Sequence, residues 1–185
     1  VFTKNLTGDI LQYPELAESH IALMDIDPER LKIAEILVHK VAQALDVKPK
    51  ITAHTDRREA LEGADYVINT IQVGGYEPCT VIDFEIPKKY GLKQTIADTL
   101  GIGGIFRALR TIPVMVDFCR EMEELAPHAW LLNYTNPMAI NTGAVLQQTK
   151  VKAVGLCHGI QGAHHWLAHC LGVPANELAF IAAGT

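Results

Sequence analysis

Short apolar runs alternate with amphipathic segments along this sequence, and each such pair predicts a strand followed by a helix. Residues 20–27 (HIALMDID) form a compact apolar run that ends in acidic residues. Residues 28–45 follow with apolar positions at helical spacing, and Pro28 suits the first turn of a helix. The same alternation continues to the end of the chain, so strands and helices are predicted in strict succession.

The remaining elements are placed by the same pattern and by the glycine and proline residues at its breaks. Further strands are predicted at 50–55, 64–73, 129–135, 151–157 and 178–184. Helices are predicted at the start of the chain and at 56–63, 104–125, 137–149 and 160–172. This alternation implies α/β architecture, a doubly wound parallel sheet with helices on both faces. Ligands of such domains bind beyond the carboxyl ends of the strands.

Length and composition predict one domain with one sizeable core, since the chain has 185 residues of which 49% are apolar. The net charge of −5, with mixed signs and no basic stripe, argues against a nucleic-acid partner. The four cysteines have no paired spacing, which favours a reducing cytosol over a disulfide framework. No run of about 18 apolar residues and no signal-like start is present, so no membrane partner is predicted.

The two ends of the sequence look incomplete for a doubly wound domain. The first predicted strand, at 20–27, follows a helix-like segment and not the central strand and glycine-rich turn that open such a domain. The last predicted strand ends at residue 184, where its loop would begin. We therefore expect residues 1–185 to be part of a longer protein, without its first strand and its C-terminal substrate domain.

Asp25 is the strongest indication of a cofactor. A carboxylate at the end of the second strand of such a sheet accepts the hydroxyls of an adenosine ribose and repels a 2′-phosphate, which favours NAD over NADP. The alternative is that Asp25 or Asp27 only caps the helix that begins at Pro28. No strand directly precedes the glycines of 101–104 (GIGG), so they predict a flexible turn. The N-terminal amides of the helix after this turn could face an anion.

Cys157 and His158 stand at the end of a predicted strand. A thiolate there can bind a divalent metal, and an imidazole beside it can donate or accept a proton. The alternative for Cys157 is a small buried apolar residue. The other histidines are predicted to lie on the surface or in helix packing, because His164 and His165 lack the i, i+4 spacing of a helical metal site.

Polar residues also follow other predicted strands. Asn136 precedes Pro137, which fits a simple turn or an amide that reaches a ligand. An acid and two guanidinium groups lie close together in the stretch IADTLGIGGIFRALR, at Asp98, Arg107 and Arg110. These residues form a polar stretch of the sequence, and the alternative for the two arginines is a solvated helix face.

Three segments together resemble glycoside hydrolase family 4, most closely its α-galactosidase (melibiase) branch. They are residues 67–113, residues 131–142 (LLNYTNPMAINT) and residues 155–162 (GLCHGIQG). The resemblance implies a Rossmann-like sheet similar to that of lactate and malate dehydrogenases, with NAD and Mn²⁺ as cofactors. It also implies glycoside hydrolysis by oxidation, elimination, addition of water and reduction, outside the usual two-carboxylate scheme.

The resemblance implies roles for individual residues. Cys157 matches the thiolate metal ligand, Asn136 the asparagine that contacts substrate hydroxyls, and Asp25 the acid that binds ribose. His158 occupies the position at which 6-phospho-α-glucosidase relatives carry an aspartate proposed as general acid, so it is a candidate catalytic residue. Asp98, as a second catalytic candidate, and Arg107, as a substrate ligand, match the stretch that lines the sugar pocket.

The resemblance also implies that the glycine-rich turn, a metal-binding histidine and a tyrosine-type base lie outside these 185 residues. The expected partner is a small sugar, and the full-length protein is expected to form homo-oligomers. Close relatives act on α-galacturonides, which stays an alternative substrate class. A 2-hydroxy-acid dehydrogenase would share Asp25 and the Asn-Pro turn but has no use for Cys157. A fragment without catalytic activity is the third alternative.

Overall fold

A computed structural model describes residues 2–96, 99–157 and 159–181. The described helices are α1 (Phe2–Leu11), α2 (Pro28–Ala44), α3 (Arg57–Leu61), α4 (Val81–Lys89), α5 (Gly101–Leu125), α6 (Met138–Gln148) and α7 (Gly159–Leu171). The described strands are β1 (His20–Met24), β2 (Lys50–His54), β3 (Tyr66–Asn69), β4 (Trp130–Asn133) and β5 (Lys152–Gly155). None of the described helices is both long enough and apolar enough to span a membrane.

The five strands form two sheets whose pairs are all parallel. One sheet has the order β1-β2, and the other has the order β3-β4-β5. Because helices follow β1, β2, β4 and β5 along the chain, the predicted α/β doubly wound class is confirmed.

Helix α5 carries the centre of the hydrophobic core. Its fully buried Met115, Cys119 and Met122 share one face because they are spaced i, i+4 and i+7. They pack in one cluster with Leu131 of β4 and Val145 of α6. Burial raises the pKa of Cys119 to about 12, so this thiol stays protonated as an apolar core residue.

The structure differs from the predicted elements mainly between residues 70 and 100. A π-type turn at Gly75–Thr80 and helix α4 fill a region for which the periodicity predicted no element, since prolines interrupt it. The strand predicted at 64–73 is limited to β3, and Gly74 and Gly75, with positive φ values of 84° and 67°, turn the chain after it. Residues 178–181 are not in a strand, and 182–185 lie outside the described residues.

Two histidines share one hydroxyl on the β1-β2 sheet. The Nε2 atoms of His20 and His54 both lie 2.9 Å from Oγ1 of Thr52, and Nδ1 of His54 lies 3.0 Å from Oε2 of Glu59. Desolvation lowers the pKa of His20, and the nearby Lys50 and His54 lower it further. The folded state therefore binds a proton at His20 less readily than the unfolded chain does.

This cluster gives a prediction for stability against pH. A folded pKa below the unfolded value of about 6.5 means that protonation of His20 favours unfolding. The contribution of His20 to the free energy of unfolding is therefore greatest above pH 6.5, and it is lost as the pH falls through the lowered pKa of His20. We expect the variant His20→Asn to show a smaller drop in Tm between pH 7.5 and pH 5 than the wild type. Equal drops in thermal melts would contradict this assignment.

Candidate functional site

The carboxyl ends of β3, β4 and β5 lie side by side at one edge of the three-stranded sheet. Asn69 and Asn133 end β3 and β4 and are register partners, and Asn133 is in turn paired with Gly155 at the end of β5. The residues that follow these strands must therefore meet at this edge, which is where doubly wound domains bind ligands. Of the predicted site residues, Asn136 and Cys157 follow β4 and β5 there.

A buried asparagine pair joins the loops at this edge. Nδ2 of Asn69 donates to Oδ1 of Asn133 at 3.0 Å, and the backbone N–H of Thr135 donates to the same oxygen at 3.0 Å. Nδ2 of Asn133 donates to Oγ1 of Thr142 on α6 at 3.1 Å. The hydroxyl of Thr135 donates to the carbonyl of Ile71, after β3, at 3.1 Å. This network ties the loop after β4 to β3 and to α6.

The backbone of Asn136 is held in place by a hydrogen bond, and its side chain is available to a ligand. Its carbonyl accepts a hydrogen bond from Nε of Arg107 at 3.1 Å, and Pro137 follows at the start of α6. The amide side chain is half-buried and makes no hydrogen bond to the described part of the chain. The structure thus brings the predicted substrate residues Arg107 and Asn136 together. Only 9% of Arg107 is exposed, so the solvated-face alternative is wrong for it.

Arg110 fixes the loop that follows β3. Its Nη2 and Nη1 donate to the two carboxylate oxygens of Asp83 at 2.6 and 3.2 Å, and its Nε donates to the carbonyl of Val73 at 3.2 Å. The hydrogen bond with Asp83 raises the pKa of Arg110, so this guanidinium stays charged. At Gly74 a Cβ atom would approach Cβ of Cys79 to 2.8 Å, so the loop also needs glycine at that position.

Cys157 lies two residues beyond β5 and is exposed. Its Sγ accepts a hydrogen bond from the backbone N–H of Gly159, at the first residue of α7, at 3.4 Å. The sulfur can therefore reach a metal ion, and the buried-thiol alternative is wrong for this residue. Within residues 2–96, 99–157 and 159–181, no three His, Cys, Asp or Glu side chains are arranged to hold a metal.

Asp25 follows β1 directly, at the carboxyl end of the other sheet. Its Oδ1 accepts from the backbone N–H of Asp27 at 2.9 Å and from Nη2 of Arg30 at 3.3 Å. Asp27, and not Asp25, caps α2, because its carboxylate accepts from the backbone N–H groups of Glu29 and Arg30. The Asp25 side chain is 35% exposed, so it remains accessible to a ligand.

The two candidate catalytic residues, Asp98 and His158, lie outside the described residues, and their roles stay predictions. The predicted turn at 101–104 already belongs to α5, and the backbone N–H of Gly103 donates to the side chain of Gln94 at 3.2 Å. Sequence reasoning missed the pair formed by Asn69 and Asn133. The available signal was an asparagine that ends two apolar strands in the same way, in YVIN and WLLN.

Comparisons with known proteins identify similar sequences and structures. Residues 1–173 match the model of a family described as family 4 glycosyl hydrolase. An alpha-galactosidase of Bacillus subtilis (strain 168) is 53% identical over 173 residues, 94% of this chain and 40% of that enzyme. An alpha-galactosidase of Rhizobium meliloti (strain 1021) is 44% identical over 184 residues, 99% of this chain and 37% of that enzyme.

A solved structure with the same fold carries ligands. It is the 6-phospho-beta glucosidase of Thermotoga maritima with manganese, NAD⁺ and glucose-6-phosphate. Its TM-score with this chain is 0.74 at 26% identity, over 92% of this chain and 41% of that one. The chain thus spans 37% to 41% of the length of these three relatives.

Proposed function

The chain belongs to family 4 of the glycosyl hydrolases, and we propose that the protein hydrolyses α-galactosides with NAD and a divalent metal ion, Mn²⁺, as cofactors. The observation that carries this proposal is that Asn136 and Cys157 follow the paired ends of β4 and β5, at the carboxyl edge of the three-stranded sheet. The two α-galactosidase relatives support the choice of sugar. The manganese and NAD⁺ bound to the Thermotoga maritima relative support the choice of cofactors.

The described residues fit these cofactors in part. Asp25 keeps a partly exposed carboxylate beside a strand end, which suits the two hydroxyls of an adenosine ribose. Cys157 presents an exposed sulfur, which in its thiolate form is a metal ligand. When bound, the dinucleotide supplies a hydride acceptor and the metal supplies Lewis acidity toward sugar oxygens. Residues 1–185 would then contribute part of the NAD-binding Rossmann-like domain.

The remaining site residues would orient the sugar and move protons. The Asn136 amide, with both its donor and its acceptor unused by the described residues, would bind sugar hydroxyls. Arg107 would hold the Asn136 backbone in that position through its 3.1 Å hydrogen bond and line the substrate pocket. His158 would exchange a proton with the glycosidic oxygen, and Asp98 would act as the second catalytic group. We also propose a cytoplasmic location and a homo-oligomeric assembly.

An assay of the full-length protein with aryl α-galactoside, NAD⁺, Mn²⁺ and a thiol reductant tests this function. We expect turnover that requires both cofactors and that is lost on chelation and regained when Mn²⁺ is added back. Aryl α-glucoside and aryl α-galacturonide are the matched control substrates, and we expect slower turnover of both. Faster turnover of the galacturonide would move the proposal to that substrate. If the protein instead oxidises 2-hydroxy acids and keeps this activity after chelation, a 2-hydroxy-acid dehydrogenase would replace the proposed function.

A further inference from the structure

We propose that Asn133 is a positioning residue that sets the spacing between the sugar-binding Asn136 and the metal ligand Cys157. This inference rests on the proposed function, because it concerns how the same site is held together. Asn133 is completely buried, so its side chain cannot itself reach a ligand. Its effect must pass through the two loops that it holds.

The side chain of Asn133 fixes the loop that carries Asn136. Its Oδ1 accepts the backbone N–H of Thr135 at 3.0 Å, directly before Asn136. Its Nδ2 lies 3.4 Å from the carbonyl of Thr135, and Nδ2 of Asn141 donates to that carbonyl at 3.2 Å. Both backbone polar groups of Thr135 are therefore held by asparagine side chains, which fixes the point from which Asn136 extends.

The backbone of Asn133 fixes the loop that carries Cys157. Its carbonyl accepts the backbone N–H of Leu156 at 2.9 Å, directly before Cys157. Asn133 is therefore hydrogen-bonded to the residue directly before each of the two ligand-binding residues. A shift of Asn133 would change the position of Asn136 relative to Cys157, and a sugar held by both would lose its alignment.

Only an amide satisfies all the groups around this position. Oδ1 accepts two hydrogen bonds, from Asn69 and from Thr135, while Nδ2 donates to Thr142 at 3.1 Å. An aspartate keeps the two-acceptor role but loses the donor, whereas a leucine, which has the same branching and a larger volume, loses every one of these bonds. The two substitutions should therefore disturb the spacing to different degrees.

The experiment compares Asn133→Leu and Asn133→Asp with Val145→Ala in the full-length protein. Val145 is fully buried and lies on α6, the same helix that accepts the hydrogen bond from Asn133. It packs in the hydrophobic core, so Val145→Ala controls for a loss of stability alone. We expect Asn133→Leu to raise KM for aryl α-galactoside about 10-fold or more and to lower kcat/KM about 100-fold. Asn133→Asp should lie between this variant and the wild type. Val145→Ala should leave both constants nearly unchanged at a comparable drop in Tm.

A second measurement does not depend on activity. Amide hydrogen exchange over residues 134–136 and 156–157 should speed up in Asn133→Leu and stay at the wild-type rate in Val145→Ala. If the wild type shows no α-galactosidase activity, the proposed function fails while the exchange data still decide the positioning role. Kinetics and exchange of Asn133→Leu that match those of Val145→Ala would overturn the inference. If Asn133→Leu does not fold, the same comparison with Asn133→Asp decides.

Discussion

Replacing Cys157 by serine is expected to weaken Mn²⁺ binding at least about 100-fold, the upper end of the effect of losing a supporting group around a metal. A serine hydroxyl does not ionise near neutral pH, whereas the thiolate is the metal-binding form of cysteine. Since Sγ is exposed and accepts only the N–H of Gly159 among the described groups, the fold itself should tolerate the change. Turnover of α-galactoside should fall at least in proportion. Isothermal titration with Mn²⁺ and the aryl glycoside assay measure the two effects.

Cys170 provides the matched control for this substitution. It is also an exposed free cysteine and lies near the other end of the same helix, α7. Cys170→Ser should therefore leave Mn²⁺ affinity and turnover at the wild-type values, which separates a general sensitivity to cysteine loss from metal binding. Unchanged Mn²⁺ affinity in Cys157→Ser would refute the assignment of this sulfur as a metal ligand.

The largest stability effect is expected for Arg110→Met. The substitution leaves the Asp83 carboxylate, of which only 1% is exposed, without its two charged hydrogen bonds. Removing one partner of a buried ion pair costs about 3–5 kcal/mol. Because the Arg110 side chain is 24% exposed, we expect the lower end, a loss of about 3 kcal/mol in the free energy of unfolding. Urea unfolding followed by circular dichroism measures it.

The same helix supplies the control for this ion pair. Arg120 and Asp117 form an exposed pair at 4.0 Å, so Arg120→Met should cost less than about 0.5 kcal/mol. The double variant Asp83→Leu with Arg110→Met removes both charges and should regain most of the lost stability. Equal losses in Arg110→Met and Arg120→Met would show that the Asp83 pair does not hold the loop after β3.

Local pattern was sufficient for most elements of this fold and for part of the site. The i, i+4, i+7 spacing of Met115, Cys119 and Met122 reports one buried helix face before any partner is known. The apolar runs that become β1, β2, β4 and β5 likewise report strands. The motif around Cys157 indicated the family, and the structure leaves that sulfur exposed at a strand end, as metal binding requires.

The pattern was insufficient where contacts between distant residues decide the outcome. Helix α4 is interrupted by Pro87 and follows Pro78, so its periodicity is weak, yet Asp83 anchors it to Arg110 of α5. Asn69 and Asn133 are separated by 64 positions. Each ends an apolar strand, but only the pairing of β3 with β4 brings their amides together. Residues 178–181, the described part of the last predicted strand, are likewise not in a strand, although their apolar pattern resembles one.

The sequence by itself determined the succession of strands and helices, the family and the candidate site residues, because periodicity and motifs are properties of neighbouring residues. Only the tertiary structure decided that Asp27 caps α2, leaving Asp25 accessible, and that Arg107 lies buried against Asn136. It also decided that Asn133 stands between the two loops of the site. The physical reason is that hydrogen bonds and burial depend on which strand ends meet, and strand pairing is fixed by the whole sheet.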